Sequence, residues 1–304
     1  MKKKYGLIGM LSVLLLIGAC RVHDPCNDCY DPPAPSGVWT ITGDDYVEIL
    51  WDELYIHDLD GYRIYRSFQE FGEYEQIGWS DEGYFEDDHV TNGFTYFYAV
   101  TAVDYHGNES DLSYESIFDT PRPEDWDLEV GDYDDVAGVD FSGYYHHMIQ
   151  PWDAWDTDMY LFWDEDDGTY AFASTDVEIE DEIIGTDIQY AGYVDTLDEL
   201  DWAPADGWSV ETADVVNLYE GHAYWVWTWD NHFAKFRVTH IGENYVVIDW
   251  AYQIDEGNPE LVLIAGEGMG SGGPKAARPD GAARFAPTSR ENRASSVYTL
   301  AGGR

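Results

Sequence analysis

From Val38 onward, apolar and polar positions alternate with a period of two, and turn-forming residues interrupt the pattern at short intervals. In YVEILW, Val47, Ile49 and Trp51 fall on one face, with Gly43-Asp44-Asp45 turning the chain just before them. That alternation predicts half-buried β-strands. In DGYRIYRS, Tyr62, Ile64 and Arg66 share one face and Arg63 and Tyr65 the other. In NGFTYFYAVTAVD, Tyr96, Tyr98, Val100 and Ala102 line up, and a loop follows from Tyr105 to Ser110. Further along, Met159–Trp163, the charged turn Asp164–Gly168 and Thr169–Ala173 predict a hairpin. His222–Trp229, the Asp230-Asn231 turn, His232–Val238, the Glu243-Asn244 turn and Tyr245–Gln253 predict a three-stranded antiparallel meander. The meander carries no helical period. The expected fold class is all-β: one sandwich over residues 37–119, TPRPED (120–125) as a Pro-bearing linker, and a second antiparallel β-sheet domain over 126–265.

The first module resembles a fibronectin type III domain. Five landmarks occur in order: a Pro-rich entry before Val38, the Val47/Ile49/Trp51 strand, GYRIYRS at 61–67, the G-x-TYxYxVxAxD pattern of 93–104, and the GNES that follows. The resemblance implies a seven-stranded, two-sheet sandwich with Trp51 in its core. It also implies that Tyr96 is the corner tyrosine whose hydroxyl satisfies a backbone group. Tyr65, Tyr74 and Trp79 are candidates for an exposed aromatic patch, with ordinary sheet packing as the alternative.

Charge changes the picture more than size does. The 304 residues carry 15 Lys+Arg against 61 Asp+Glu, a formal net charge of -46. Phosphate recognition needs a basic surface, so DNA and RNA are excluded as partners. Aromatics reach 16 %, which acidic disordered chains lack, so most of the chain is expected to fold. The exception is residues 266–304, poor in large apolar residues and holding Lys275, Arg278, Arg284, Arg290, Arg293 and Arg304. This basic tail is expected to be disordered.

The N-terminus reads as an address. Lys2, Lys3 and Lys4 precede an apolar run from Leu7 to Ile17 that is too short for a comfortable membrane span, and the run closes on Ile17-Gly18-Ala19-Cys20. This resembles the lipobox of bacterial lipoproteins, which implies cleavage after residue 19 and acylation of Cys20. Residues 20–36 would then be a tether, and Arg21 after the cysteine resembles the outer-membrane default. Cys26 and Cys29 are a candidate disulfide; free thiols, or a metal site with His23, are the other readings.

The second module offers ligand candidates. Trp225, Trp227 and Trp229 fall on one strand face, either as core or as a stacking strip for sugar rings, with Tyr224, Val226 and Thr228 on the other. Trp152, Trp155, Trp202 and Trp208 sit in loop-like contexts and are the better candidates for exposure. The meander is similar, over about 40 residues, to the C-terminal meander of HmuY-type surface lipoproteins. That resemblance implies haem ligands among His146, His147 and Met148, although adjacent histidines on a strand point to opposite faces. The clusters Asp132/Asp134/Asp135, Asp153/Asp156/Asp158 and Asp164/Asp166/Asp167 are either calcium sites or solvated surface. No G-x-S-x-G, H-E-x-x-H or P-loop occurs, so no catalytic residue, resident metal or cofactor is expected. The expected function is a non-catalytic binding or scaffolding module on an outer-membrane or cell-surface lipoprotein. Its partners would be the membrane through the N-terminal lipid and an envelope protein or glycan. A ligand-capture protein for glycan or haem, or an extracellular glycan-active enzyme, are the alternatives.

Overall fold

The computed structural model describes residues 30–114, 117–179, 182–208 and 214–262. The lipobox with Cys20, the Cys26/Cys29 pair and the basic tail lie outside the described residues.

Seven strands form the first module: β1 Ser36–Thr42, β2 Val47–Asp52, β3 Leu59–Ser67, β4 Glu75–Ser80, β5 Tyr84–Asp87, β6 Tyr96–Asp104 and β7 Ile117–Asp119. They build a three-stranded sheet, β1-β2-β5, against a four-stranded sheet, β4-β3-β6-β7. Every pairing is antiparallel. The alternating residues read from the sequence meet between the sheets: Val47, Ile49 and Trp51 from one, Tyr62, Ile64, Tyr98, Val100 and Ala102 from the other. Trp51 and Tyr62 touch edge to face, 5.2 Å between centroids. The Tyr96 hydroxyl accepts the Thr91 backbone N–H at 3.1 Å, so the corner tyrosine is in place. The module is a fibronectin type III-like sandwich. Arg66 keeps the inner face that alternation assigned it, opposite Tyr98 of β6. Its guanidinium pairs with Asp87 at 2.7 Å and lies 5.2 Å from the Tyr96 ring centroid.

The second module is also a sandwich. Its strands are β8 Glu124–Gly131, β9 Gly138–Val139, β10 Ile149–Gln150, β11 Met159–Asp164, β12 Thr169–Ser174, β13 Asp176–Ile179, β14 Glu182–Gly185, β15 Asp187–Tyr193, β16 Val215–Asn217, β17 His222–Trp227, β18 Phe233–Ile241 and β19 Tyr245–Gln253. Two five-stranded sheets, β15-β17-β18-β19-β8 and β10-β9-β11-β12-β16, pack face to face, and β13-β14 forms a separate hairpin. The predicted hairpin (β11-β12) and meander (β17-β18-β19) are both present. Their shared core includes Leu161, Phe172, Tyr224, Val226, Phe236, Ile248 and Tyr252. Phe236 sits parallel to Tyr224 at 4.8 Å and edge-on to Phe172 at 5.3 Å.

The two faces of β17 are the reverse of the core reading. Tyr224 and Val226 are fully buried between the sheets. Trp225 and Trp227 lie on the opposite face, half-buried beneath a roof formed by residues 194–208 and Leu261. Buried Lys235 holds that roof by donating to the carbonyls of Leu197 (3.0 Å) and Leu200 (2.9 Å), and Arg237 donates to Val194 O (3.1 Å). Both faces of this sheet are covered, so both are apolar, and periodicity alone cannot rank them.

Residues 119–124 are not a loose linker. Residues 119–123 are buried and hydrogen-bonded to both sandwiches. Thr120 donates through its N–H and hydroxyl to the Glu260 carboxylate (3.1 and 3.2 Å), and Gln253 Nε2 donates to Thr120 O (3.2 Å). Arg122 donates from its backbone N–H to Gly43 O (3.1 Å) in the first sandwich and from Nε to Leu261 O in the second. Phe118 meets Trp202 edge to face at 6.5 Å. The two sandwiches belong to one compact unit.

Candidate functional site

The ends of the second sandwich differ. One end, at Glu124, Gln253 and Glu260, is closed by residues 119–124, the buried strap that joins it to the first sandwich. At the other, β15 finishes at Tyr193, β17 begins at His222 and β18 runs out at Ile241. There the chain builds an aromatic group from two separate segments.

A β-bulge assembles it. In a regular strand, residues three apart point to opposite faces. In β15 the pairing shifts between Tyr190 and Gly192, so Tyr190 faces Tyr224 and Tyr193 faces His222. Tyr224 and His222 are two apart and share a face, so the extra residue brings Tyr190 and Tyr193 onto that same face. Gly192 takes φ +111°, in the region L side chains avoid. At Gly221, φ is +79°, and a Cβ there would lie 2.6 Å from the Tyr193 ring, so this turn needs glycine as well.

The face is the inner face of its sheet, and Tyr224 is its last covered ring, its hydroxyl donating to Asn217 O at 2.7 Å. The opposing edge strand β16 stops at Asn217. Beyond that point Tyr190, Tyr193 and Tyr219 gather round His222. Ring centroids lie 5.7 Å away for Tyr190 (stacked), 5.7 Å for Tyr193 (edge-on) and 5.4 Å for Tyr219. The Tyr190 hydroxyl and His222 Nδ1 are 2.6 Å apart. The three tyrosines are 51, 64 and 48 % exposed. Exposed aromatics occur elsewhere on the surface and need no explanation singly; here three half-exposed tyrosines each contact the one His222 ring. Glu220 sits beside it. The N–H of Ile241 and the His240 ring hold its carboxyl below the usual range, so it stays an acceptor. Flat rings beside hydroxyls, an imidazole and a carboxylate can stack on the apolar face of a sugar and hydrogen-bond its hydroxyls.

The tryptophans named from the sequence scatter. Only Trp155 is strongly exposed, at 74 %, and it meets half-buried Trp229 at 6.3 Å. Trp152 packs on Tyr160 (5.5 Å), Trp202 on Phe118 at the strap, and Trp208 on Trp227 (5.8 Å) with its indole N–H donated to Pro204 O. Trp152, Trp202 and Trp208 are therefore packed and not free platforms, because their loops fold back on the sheets. Trp225, Trp227 and Trp229 form no open strip. His146 and His147 lie in a turn, not a strand, both donating their N–H to Gly143 O, while Met148 is buried in the core. They do not converge as a haem ligand set.

The acidic clusters also disperse. Asp132 accepts the Tyr170 hydroxyl, and Asp164 caps its own turn through the N–H groups of Asp166 and Asp167. Asp158 turns inward, accepting from Phe141 N–H (2.9 Å) and the Thr186 hydroxyl (3.2 Å), and burial pushes its carboxyl well above the usual range. Among the described residues, Asp58, Asp104 and His106 are the group whose potential ligand atoms converge, but Asp104 is already occupied by the loop N–H groups of His106 and Asn108.

Sequence reasoning missed Tyr190, Tyr193, Tyr219 and His222. The local signal was a Tyr-Ala-Gly-Tyr bulge and a Tyr-Glu-Gly-His turn, which mean little until the strands pair.

No protein-family profile matches the chain. A stretch of it is 36 % identical over 134 residues to an amylopullulanase of Thermoanaerobacterium thermosulfurigenes, covering 43 % of this chain and 7 % of that protein. The chain is also 36 % identical over 117 residues to an amylopullulanase of Thermoanaerobacterium saccharolyticum, covering 38 % of this chain and 9 % of that protein. The chain thus spans less than a tenth of the length of these relatives. Among solved structures it is similar to a Fn3-like protein from Clostridium thermocellum (23 % identity, TM-score 0.27, 32 % of this chain and 100 % of that one). It is also similar to a β-1,2-glucanase from Parabacteroides distasonis (28 % identity, TM-score 0.27, 31 % and 13 %).

Proposed function

We propose that the chain is a non-catalytic glycan-binding module of the bacterial envelope, held by a lipid on Cys20. One observation carries this reading: the open group of Tyr190, Tyr193, Tyr219 and His222 at the free end of the second sandwich. The partial similarity to amylopullulanases, enzymes named for polysaccharides, supports a glycan as the ligand class. The strap supports a presenting role, because its buried hydrogen bonds join the first sandwich to one end of the second and leave the other end free. The net charge of -46 disfavours acidic polysaccharides and favours neutral ones.

Retardation of the full chain in native gels containing amylose, pullulan or a β-glucan tests the binding half. Mobility unchanged in every gel would remove it. The anchoring half has its own test. Cys20→Ser is expected to move the protein from the membrane fraction to the soluble fraction and to abolish palmitate labelling. A variant that still partitions with membranes would contradict the lipid anchor.

A further inference from the structure

On the outer face of the fibronectin type III-like sandwich, β3, β6 and the segment from Glu109 to Leu112 border a shallow hollow of about 420 Å³ that is open to solvent. That volume is within the range of small-ligand sites. Tyr65, Tyr74 and Leu112 line it, with Thr101, Glu109 and Asp111. The candidate patch of the sequence thus survives in part: Tyr65 and Tyr74 come together, while Trp79 lies instead against Gly61, where a Cβ would be 2.5 Å from its ring.

The floor is organised around one carboxylate. Glu109 accepts from the Tyr65 hydroxyl, the Thr101 hydroxyl (2.7 Å) and the Arg63 guanidinium. Burial acts to raise its pKa, but those donors prevail and hold the carboxyl below the usual range. Its side chain keeps 26 % of its exposure, so a ligand can reach it. Arg63, Glu109 and Asp111 together leave the site with a net negative charge, inside a molecule that is negative throughout. Two aromatic rings beside carboxylates attract a cation through both charge and ring quadrupole, and Leu112 with the ring edges can cover an alkyl stem.

We infer that this hollow is a binding site for a primary ammonium group on a short alkyl chain. It is separate from the tyrosine group at the far end and does not depend on glycan binding there.

Calorimetric titration of the full chain with cadaverine at low ionic strength tests this, with maltotriose as the neutral comparison. Expected are saturable binding of cadaverine, none of maltotriose at this site, and a roughly five- to tenfold weaker affinity for Tyr74→Ala. Tyr74 lies outside the Glu109 network, its hydroxyl donating to Glu70 O, so this variant is expected to fold. Asp111→Asn should weaken binding by a similar factor. An affinity that neither variant changes would mean diffuse counterion attraction to an acidic protein and would overturn the site. Absence of saturable heat, or saturation with maltotriose that Tyr74→Ala abolishes, would also overturn it.

Discussion

The two ends of the second sandwich invert the usual division between inside and outside. At the end facing the first sandwich, Arg122, Lys235, Thr120, Gln253 and Glu260 are essentially fully buried. At the opposite end three tyrosines stand about half in water. Burying charge is costly unless it is paired and hydrogen-bonded: Arg122 donates to Leu261 O and to the Glu124 carboxylate, Lys235 donates to the roof carbonyls of Leu197 and Leu200, and the Thr120 N–H and hydroxyl donate to Glu260. Such directional contacts fix one orientation of the two sandwiches, which apolar contact alone would leave looser. The free end does the reverse. It leaves rings uncovered that β16 could have covered had it run a few residues further. The difference separates a joint from a surface available to a ligand.

The largest expected effect breaks the joint. Arg122→Ala removes a fully buried guanidinium and leaves Glu124, its partner at 2.6 Å, without a counter-charge. A loss of about 3–5 kcal/mol is expected. Scanning calorimetry is expected to show one unfolding transition for the wild type and two for the variant, as the sandwiches uncouple. One transition at an unchanged temperature would mean that the strap couples nothing.

The joint also carries a pH dependence of definite sign. Asp119 is fully buried beside Thr40, Thr42 and Arg122, and burial pushes its carboxyl up to about 7 despite those neighbours. The unfolded chain has the ordinary value near 4. The folded state therefore holds a proton that the unfolded state has released between about pH 4 and about pH 7, and Asp119 costs stability as pH rises through that window. Asp119→Asn should raise the melting temperature more at pH 8 than at pH 4. An equal gain at both would assign the pH dependence to other groups.

A smaller effect sharpens the contrast between the sandwiches. Tyr96→Phe removes only the acceptor for Thr91 N–H and should cost about 1–2 kcal/mol, measured by urea unfolding, with the strap and the far end unaffected.

What the sequence made legible follows the same contrast. Trp51, Tyr62, Tyr96 and Tyr98 were readable because each lies in a short alternating segment whose own spacing places it. The strap was not, since TPRPED has the composition of a linker and only contacts with Leu261 and Glu260, about 140 residues away, bury it. The choice for Trp225 and Trp227 between core and open strip was not legible, because strand alternation gives two faces and no ranking, and the roof that covers them comes from a separate segment at 194–208. The tyrosine group depends on a one-residue bulge, and a slip of one residue moves a side chain to the other face.

The central claim is that the free end binds glycan through Tyr190, Tyr193, Tyr219 and His222. It is tested most directly by the mobility of the full chain and of Tyr193→Ala and Tyr219→Ala in native gels containing amylose or pullulan. Tyr193 and Tyr219 are 64 and 48 % exposed, so both variants should melt close to the wild type. The account predicts that a polysaccharide retards the wild type and that each variant loses retardation by about five- to tenfold in affinity, as expected for one stacking ring. Equal retardation of wild type and both variants would place any glycan contact elsewhere and contradict the site.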